Sequence, residues 1–165
     1  MVTMTQLTLL RHAKSIWEKK DNRDIDRTLN GQGRREAALM GLVCAERLPP
    51  PDLVLVSPAM RTRETVELFF ESWMTAKPDI AVVEDLYLAS PDDWIEILAE
   101  QTSGTDHILV CSHQPGLGEF ASLLCPAFDG KVPPATIISI QLKNGGIGRA
   151  SGRLDFVGRP QDFQN

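Results

Sequence analysis

A chain of 165 residues, 42% hydrophobic and 24% charged, has the composition of an ordinary globular protein and enough length to bury a substantial core without staples. A net charge of −5 argues against non-specific binding to nucleic acid, and no apolar run approaches the ~20 residues needed to span a bilayer. Three cysteines, odd in number, widely spaced and each among apolar neighbours (Cys44, Cys111, Cys125), exclude a disulfide framework and predict reduced core residues. These bounds predict a single domain over residues 1–165, soluble and cytoplasmic, with neither nucleic acid nor membrane as a partner.

The charge is unevenly placed. Residues 1–65 carry 11 basic against 8 acidic side chains, whereas residues 66–165 carry 6 against 14. An excess of positive charge in the N-terminal part suggests a local anion site.

The first apolar run, Leu7 to Leu10, suits a short buried strand, and it ends abruptly in Arg11-His12-Ala13-Lys14-Ser15. In open α/β sheets the places where strands give way to loops are where ligands bind, so Arg11 and His12 are candidates from the outset. A polar loop, Glu18 to Asn30, follows. Its Asp21, Asp24 and Asp26 fail the calcium-loop pattern, because Arg23, Ile25 and Asp26 stand where alternate oxygen ligands and a glycine are needed, and a solvated loop is expected instead. Arg27 lies near its end.

Residues 31–48 predict a helix, with Ala37, Ala38, Leu42, Ala45 and Leu48 at helical spacing and Pro49-Pro50-Pro51 preventing continuation. Leu53 to Val56 is too uniformly apolar for a half-exposed strand and predicts a parallel one buried on both faces. It ends in Ser57-Pro58-Ala59-Met60-Arg61, where Ser57 and Pro58 suggest a helix start with a capping hydroxyl and Arg61 falls in the first turn. Unpaired amides and the helix dipole favour an anion there. This helix is expected to run to about Ala76, with Val66, Leu68, Phe69, Phe70, Trp73 and Met74 as its apolar face.

Ile80 to Val83 predicts a third strand with Glu84, Asp85, Leu86 and Tyr87 at its end, and Ser90 with Asp93 predicts a capped helix over about 91–101. His107 to Cys111 reads as a fourth strand delivering Ser112-His113-Gln114-Pro115, followed by a helix over 116–125. Strands over Ala135 to Leu142 and about Arg153 to Val157 flank the turn signal Asn144-Gly145-Gly146. Alternating strands and helices predict an α/β three-layer sandwich: a mostly parallel central sheet, helices on both faces and an antiparallel edge.

Several chemistries fail on spacing. A cysteine-dependent phosphatase needs arginine six residues after its cysteine, and Pro50, Leu117 and Lys131 occupy those positions. Neither a Gly-Lys-Ser/Thr phosphate loop nor a Gly-x-Ser-x-Gly elbow is present. His107 and His113, six residues apart along one strand and so about 20 Å apart when extended, cannot share a metal with His12; His107 is read as a surface or satisfied histidine. The remaining set, Arg11, His12, Arg61 and His113, suits a phosphoryl group: arginines pair with its oxygens, a second histidine adds a donor, and His12 can attack phosphorus without a metal or cofactor.

The stretches Arg11-His12-Ala13-Lys14-Ser15, Arg27-Thr28-Leu29 with Gly33, Ser57-Pro58-Ala59-Met60-Arg61-Thr62-Arg63-Glu64-Thr65 and Ser112-His113-Gln114-Pro115 resemble, in order and spacing over residue 7 to about 125, the histidine phosphatase (phosphoglycerate mutase-like) superfamily. The short length, Arg-His-Ala-Lys-Ser and Leu86-Tyr87 look most like its SixA-type phosphohistidine phosphatases. The resemblance implies that His12 is transiently phosphorylated, that Arg11, Arg61 and His113 surround the phosphate, and that Arg27 and Ser15 contact substrate. Ala13 stands where many members have glycine, and Thr28 where they have proline after the loop arginine. In mutase-like branches a glutamate after the third strand protonates the leaving group, which points to Glu84; Asp85, or no acid at all, are the alternatives. The reading is a metal-independent phosphatase acting on a phosphorylated protein or a small phosphate. A mutase-like phosphotransferase and a non-catalytic phospho-ligand module are the rivals. Substrate choice is assigned to loops 16–30, 84–92 and 126–135.

Overall fold

Apolar residues at consecutive positions, facing both ways, mark strands that cover a helix layer on either side. In the computed structural model, which describes residues 4–17, 23–73, 77–101 and 104–164, such strands are β1 (Gln6–Arg11), β2 (Leu53–Val56) and β4 (His107–Ser112), while β3 (Asp79–Val82) is a largely exposed edge strand. Two more, β5 (Ile137–Leu142) and β6 (Gly152–Gly158), complete a six-stranded sheet of order β3-β2-β4-β1-β5-β6. The first four are mutually parallel, while β5 runs antiparallel to β1 and β6 to β5, giving the expected mostly parallel sheet with an antiparallel edge.

Alternation along each strand separates two cores. Leu7, Leu9, Leu55, Ile108, Val110, Ile138 and Ile140 face helices α3 (Pro91–Gln101) and α4 (Gly116–Leu124), through Trp94, Leu98, Leu117 and Phe120. On the other face, Leu10, Val54, Val56, Leu109 and Cys111 meet α1 (Gly31–Arg47) and α2 (Met60–Glu71), through Ala37, Met40, Cys44, Val66 and Phe69. The three cysteines are free and buried. His107 is buried, with Nε2 2.8 Å from the Thr8 hydroxyl. Among the described residues no helix is long and apolar enough to cross a membrane.

Four local readings need correction. The buried face of α1 is Gly33, Glu36, Ala37, Met40, Gly41 and Cys44, whereas Leu42 is 54% exposed and Ala45 is also exposed. Close approach decides it: an added Cβ at Gly41 would fall 2.0 Å from the Phe69 carbonyl oxygen of α2, so the side with the smallest residues packs rather than the side with the most apolar ones. Helix α2 begins at Met60 with Ala59 as its unassisted cap, so Ser57 is free for another bond; Glu71 ends it, and residues 74–76 of the expected extension lie outside those described. The Asn144 signal produces a positive φ of 55° within a short turn, but the β5–β6 connection spans residues 143–151 and is not a tight hairpin. The loop before α1, of which residues 18–22 lie outside those described, contains a helical turn, Asp24–Asp26, that is engaged rather than merely solvated. Ser90 and Asp93 do form the expected reciprocal cap on α3.

Because α1 has no room for a methyl group at Gly41, Gly41→Ala should separate α1 from α2 and cost about 1–3 kcal/mol of stability. Urea unfolding of the variant measures this, and a loss below ~0.5 kcal/mol would show that the two helices can part without strain.

Candidate active site

The sheet order places the ends of β2, β4 and β1 side by side, and the chain leaves β1 toward the α1 face but leaves β4 toward the α4 face. That divergence opens a crevice at the carboxyl ends of β1 and β4, where α/β folds bind ligands. Parallel register sets Arg11 opposite Ser112 and Val56 opposite Cys111, so the next residues, His12, His113 and Ser57, come together. The histidine rings lie 5.3 Å apart between centroids. A cleft of about 300 Å³ at this point is lined by Arg11, His12, Lys14, Ser15, Trp17, Arg27, Arg61, Leu88, His113, Gln114 and Pro134.

His12 is held on every side. Its backbone N–H donates to Ser112 O (3.2 Å), its carbonyl accepts from Ala135 N (3.1 Å), and its Nδ1 donates to Ala13 O at 2.8 Å. With the proton thus on Nδ1, the imidazole's lone pair resides on Nε2. The adjoining Ala13 amide donates to Thr65 Oγ1 of α2 (2.9 Å), which itself donates to Arg61 O, tying the histidine loop to the helix that carries the arginine. An added Cβ at Gly33 would fall 2.1 Å from Lys14 O, so α1 braces the same loop from below.

His113 Nε2 lies 2.7 Å from Ser57 Oγ, the hydroxyl left free by the late start of α2. When that hydroxyl donates, the proton of neutral His113 sits on Nδ1, which is buried and has no partner. Arg11 donates to Val132 O through NH1 (2.8 Å) but its Nε is buried and unpartnered. Arg61, 4% exposed, donates to Asp24 O (2.8 Å) and to Asp24 Oδ2 (3.1 Å), and its Nε is likewise unpartnered. Arg27 Nε approaches Asp24 Oδ1 to 3.2 Å as an ion pair without the alignment of a hydrogen bond. These four N–H groups are enclosed by protein and lack an acceptor, as do Trp73 Nε1, Trp94 Nε1 and His107 Nδ1 away from the cleft. What the cleft offers an oxyanion is the positive charge of Arg11, Arg27, Arg61 and Lys14 along its lining, with His113 beside them.

Electrostatics agree. Burial, followed by the charges of His113, Arg61 and Arg11, pushes His12 down to about 3, against the opposing pull of the Ala13 carbonyl. Burial and then Arg61 push His113 down to about 4, so both imidazoles are neutral at pH 7. Burial and then Arg61 also lower Arg11. The Tyr87 hydroxyl, which donates to Asp24 Oδ2, and the Arg61 and Arg27 charges hold the Asp24 carboxyl below its ordinary range. Burial and that same bond raise Tyr87, whose ring meets His113 edge-on at 5.5 Å.

The structure thus brings together Arg11, His12, Ser15, Arg27, Arg61 and His113. It does not bring Glu84 or Asp85: these exposed carboxylates line a separate acidic depression with Asp93, Glu96 and Glu100. Asp24 joins the site, as do Ser57, Thr65 and Tyr87, which lie in the stretches that carry the resemblance but had no predicted role in the site. Ser57 had been assigned to helix capping, and Asp24 sits in a loop whose partners no spacing rule could name.

A sequence profile of the histidine phosphatase superfamily (branch 1) matches residues 7–86. The uncharacterized protein Rv1276c of Mycobacterium tuberculosis is 33% identical over 138 residues, 84% of each chain. An uncharacterized chloroplastic protein of Arabidopsis thaliana is 30% identical over 130 residues, 74% of this chain; the match spans 60% of that longer relative. The crystal structure of SixA from Agrobacterium tumefaciens superposes with a TM-score of 0.83 at 26% identity, over 95% of this chain and 99% of that one. Relatives sharing a third of their residues along most of their length, the match to the family profile and a fold that follows SixA over 95% of the chain show that the chain belongs to the histidine phosphatase superfamily, in its compact SixA-type group.

Proposed function

We propose that this protein is a metal-independent phosphatase that takes a phosphoryl group onto His12 and passes it to water, with phosphohistidine on a protein as its substrate. The observation that carries this is the lining of one cleft by Arg11, Arg27, Arg61 and His113 beside a neutral histidine whose Nδ1–H is fixed on Ala13 O. Fixed donors of this kind stabilise the charge that develops on equatorial phosphoryl oxygens, which is where phosphoryl transfer is won. In the first step the Nε2 lone pair of His12 bonds to phosphorus and the bond from phosphorus to the leaving nitrogen breaks. In the second, water attacks phospho-His12, inorganic phosphate departs and His12 regains its neutral form. Arginine supplies the positive charge, so this reading needs no metal and no cofactor.

The leaving group bears on the choice of substrate. Glu84 and Asp85 stand in a different depression, and Asp24 is held ionised by Tyr87, Arg61 and Arg27. A phosphoramidate nitrogen is basic enough to take its proton from solvent, whereas an alkoxide leaving group needs a placed acid. The absence of Glu84 and Asp85 from the cleft therefore favours phosphohistidine over a sugar-acid phosphate ester and disfavours the mutase-like alternative. Free buried cysteines suit a reducing compartment, and we place the protein in the cytoplasm.

Replacing His12 by Ala should lower turnover of a phosphohistidine protein by at least ~10³-fold and abolish an acid-labile phosphoenzyme that the parent forms, with the melting temperature little changed. Undiminished turnover in that variant would end the proposal. Kinetics of the parent on a phosphohistidine protein beside several small phosphate esters test the substrate.

The depressed histidines also set a pH signature. His12 and His113 bind protons in the unfolded chain below about pH 6.5 but in the folded chain only near 3 and 4, so the unfolded state gains protons first and stability falls as pH drops through that interval. By pH 5 the loss should be about 2 kcal/mol per histidine. Thermal melts at pH 7 and 5 of the parent and of a His12→Asn, His113→Asn double variant check it; equal losses in both would place the acid sensitivity elsewhere. Catalysis should likewise keep its neutral nucleophile well below pH 6.5.

A further inference from the structure

The floor of the cleft is basic, and beside the exposed Lys14 its opening also carries two large apolar side chains. Two of the most exposed large apolar side chains in the described structure, Trp17 at 84% and Leu88 at 68%, line the same cleft as His12. Solvated apolar side chains are common singly, but a pair at one opening requires a reason.

Leu88 supplies a sharper one. Its φ is +57°, a left-handed conformation that disfavours branched L side chains and that glycine or asparagine adopts with little strain. The turn itself has a structural purpose: it lays the Ala89 carbonyl against α4 so closely that a Cβ on Gly116 would fall 2.0 Å from Ala89 O. That accounts for the backbone but not for the residue. Glycine at position 88 would make the same turn with less strain, and a leucine that is mostly in water recovers nothing by burial. Strained residues that packing does not explain concentrate where a ligand is held.

Trp17 is tied to the cationic lining by Arg27, whose guanidinium carbon lies 5.8 Å from the indole centroid. A phosphoryl group paired with Arg27 therefore lies close to the indole. The two side chains protrude instead of enclosing a chamber, which suits a substrate mounted on a larger surface. Apolar side chains at the rim of a cationic floor match a flat, weakly polar ring bearing a phosphoryl group, although Lys14, Ser15 and Gln114 also line the cleft.

We infer that Leu88 and Trp17 are specificity-determining residues that hold the imidazole ring of a phosphorylated histidine on a protein surface while His12 attacks its phosphorus. This rests on the phosphatase reading above and adds to it the recognition of the group beyond phosphorus.

The test uses the full chain and the variants Leu88→Gly, Leu88→Asn and Trp17→Ala, with a phosphohistidine-containing protein, phenyl phosphate and glycerol phosphate as substrates. The preference for ring over polyol, as a ratio of kcat/KM values, should fall about tenfold in each variant, chiefly through KM. Leu88→Gly should do so without lowering the melting temperature, because it relieves the left-handed strain, a combination that a purely structural role for Leu88 would not produce. If the parent is active but the ratio stays within about twofold in all three variants, or all substrates lose equally, the rim has no such role and the phosphatase reading stands. If the parent turns over none of the three and forms no phosphoenzyme, that reading falls and the inference falls with it.

Discussion

The parallel pairing of β1 with β4 is the constraint on which the site depends. It sets Arg11 opposite Ser112, and the histidine that follows each strand then emerges at the same edge, with Ser57 delivered one strand away by β2. A slip of one residue would turn every side chain of β1 to the other core, moving Leu10 among the α3 and α4 residues and Leu7 and Leu9 among those of α1 and α2. Register is therefore guarded by both cores at once. The position of the nucleophile is secured by apolar packing that takes no part in the chemistry.

That packing also explains the protonation states. His12 and His113 are carried on strand ends that are themselves buried, so desolvation is the largest cause of depression in both, ahead of the neighbouring arginines. A nucleophilic imidazole must be neutral, and three guanidinium groups would by repulsion alone favour that form; burial makes it unconditional at physiological pH. The arginines that line the cleft, Arg11, Arg27 and Arg61, favour an anion in it.

The strand ends were readable because a uniformly apolar run that stops at a polar residue has one interpretation in an α/β sheet. Leu7 to Leu10 before Arg11-His12, Leu53 to Val56 before Ser57 and His107 to Cys111 before His113 all obeyed it. The α1 face misled because apolarity and closeness conflict there: Gly33 and Gly41 are counted as neutral in any hydrophobic pattern, yet they are the points of nearest approach. Ser57 misled for a different reason. Ser-Pro is a sound capping signal, but β4 delivers His113 beside the hydroxyl, and a bond across strands outweighed a local cap worth about 1 kcal/mol. Asp24 was beyond reach, since a loop carboxylate is assigned only by the partners the tertiary fold brings to it. The three loops expected to govern substrate choice do supply the cleft rim, through Trp17 and Arg27, Leu88, and Pro134.

Asp24 shows how the cation cluster is tolerated before any substrate arrives. Arg61 is almost wholly buried, and Arg11 is pressed downward by burial and then by Arg61, so three guanidinium groups at one strand edge would repel one another in a medium of low dielectric. Asp24 offsets this with one carboxylate and one carbonyl on Arg61 and an ion pair to Arg27. It is 42% exposed and lies outside the residues lining the cleft, so it restrains the arginines from behind without filling the space a phosphoryl group needs. Its single negative charge leaves the three arginines with an excess of two, the charge of a phosphate dianion. A glutamate or aspartate placed inside the cleft would have reduced that excess where it matters, and the displacement of Glu84 and Asp85 to a separate depression is consistent with a site that binds its phosphoryl group by charge and leaves protonation to the substrate's own nitrogen.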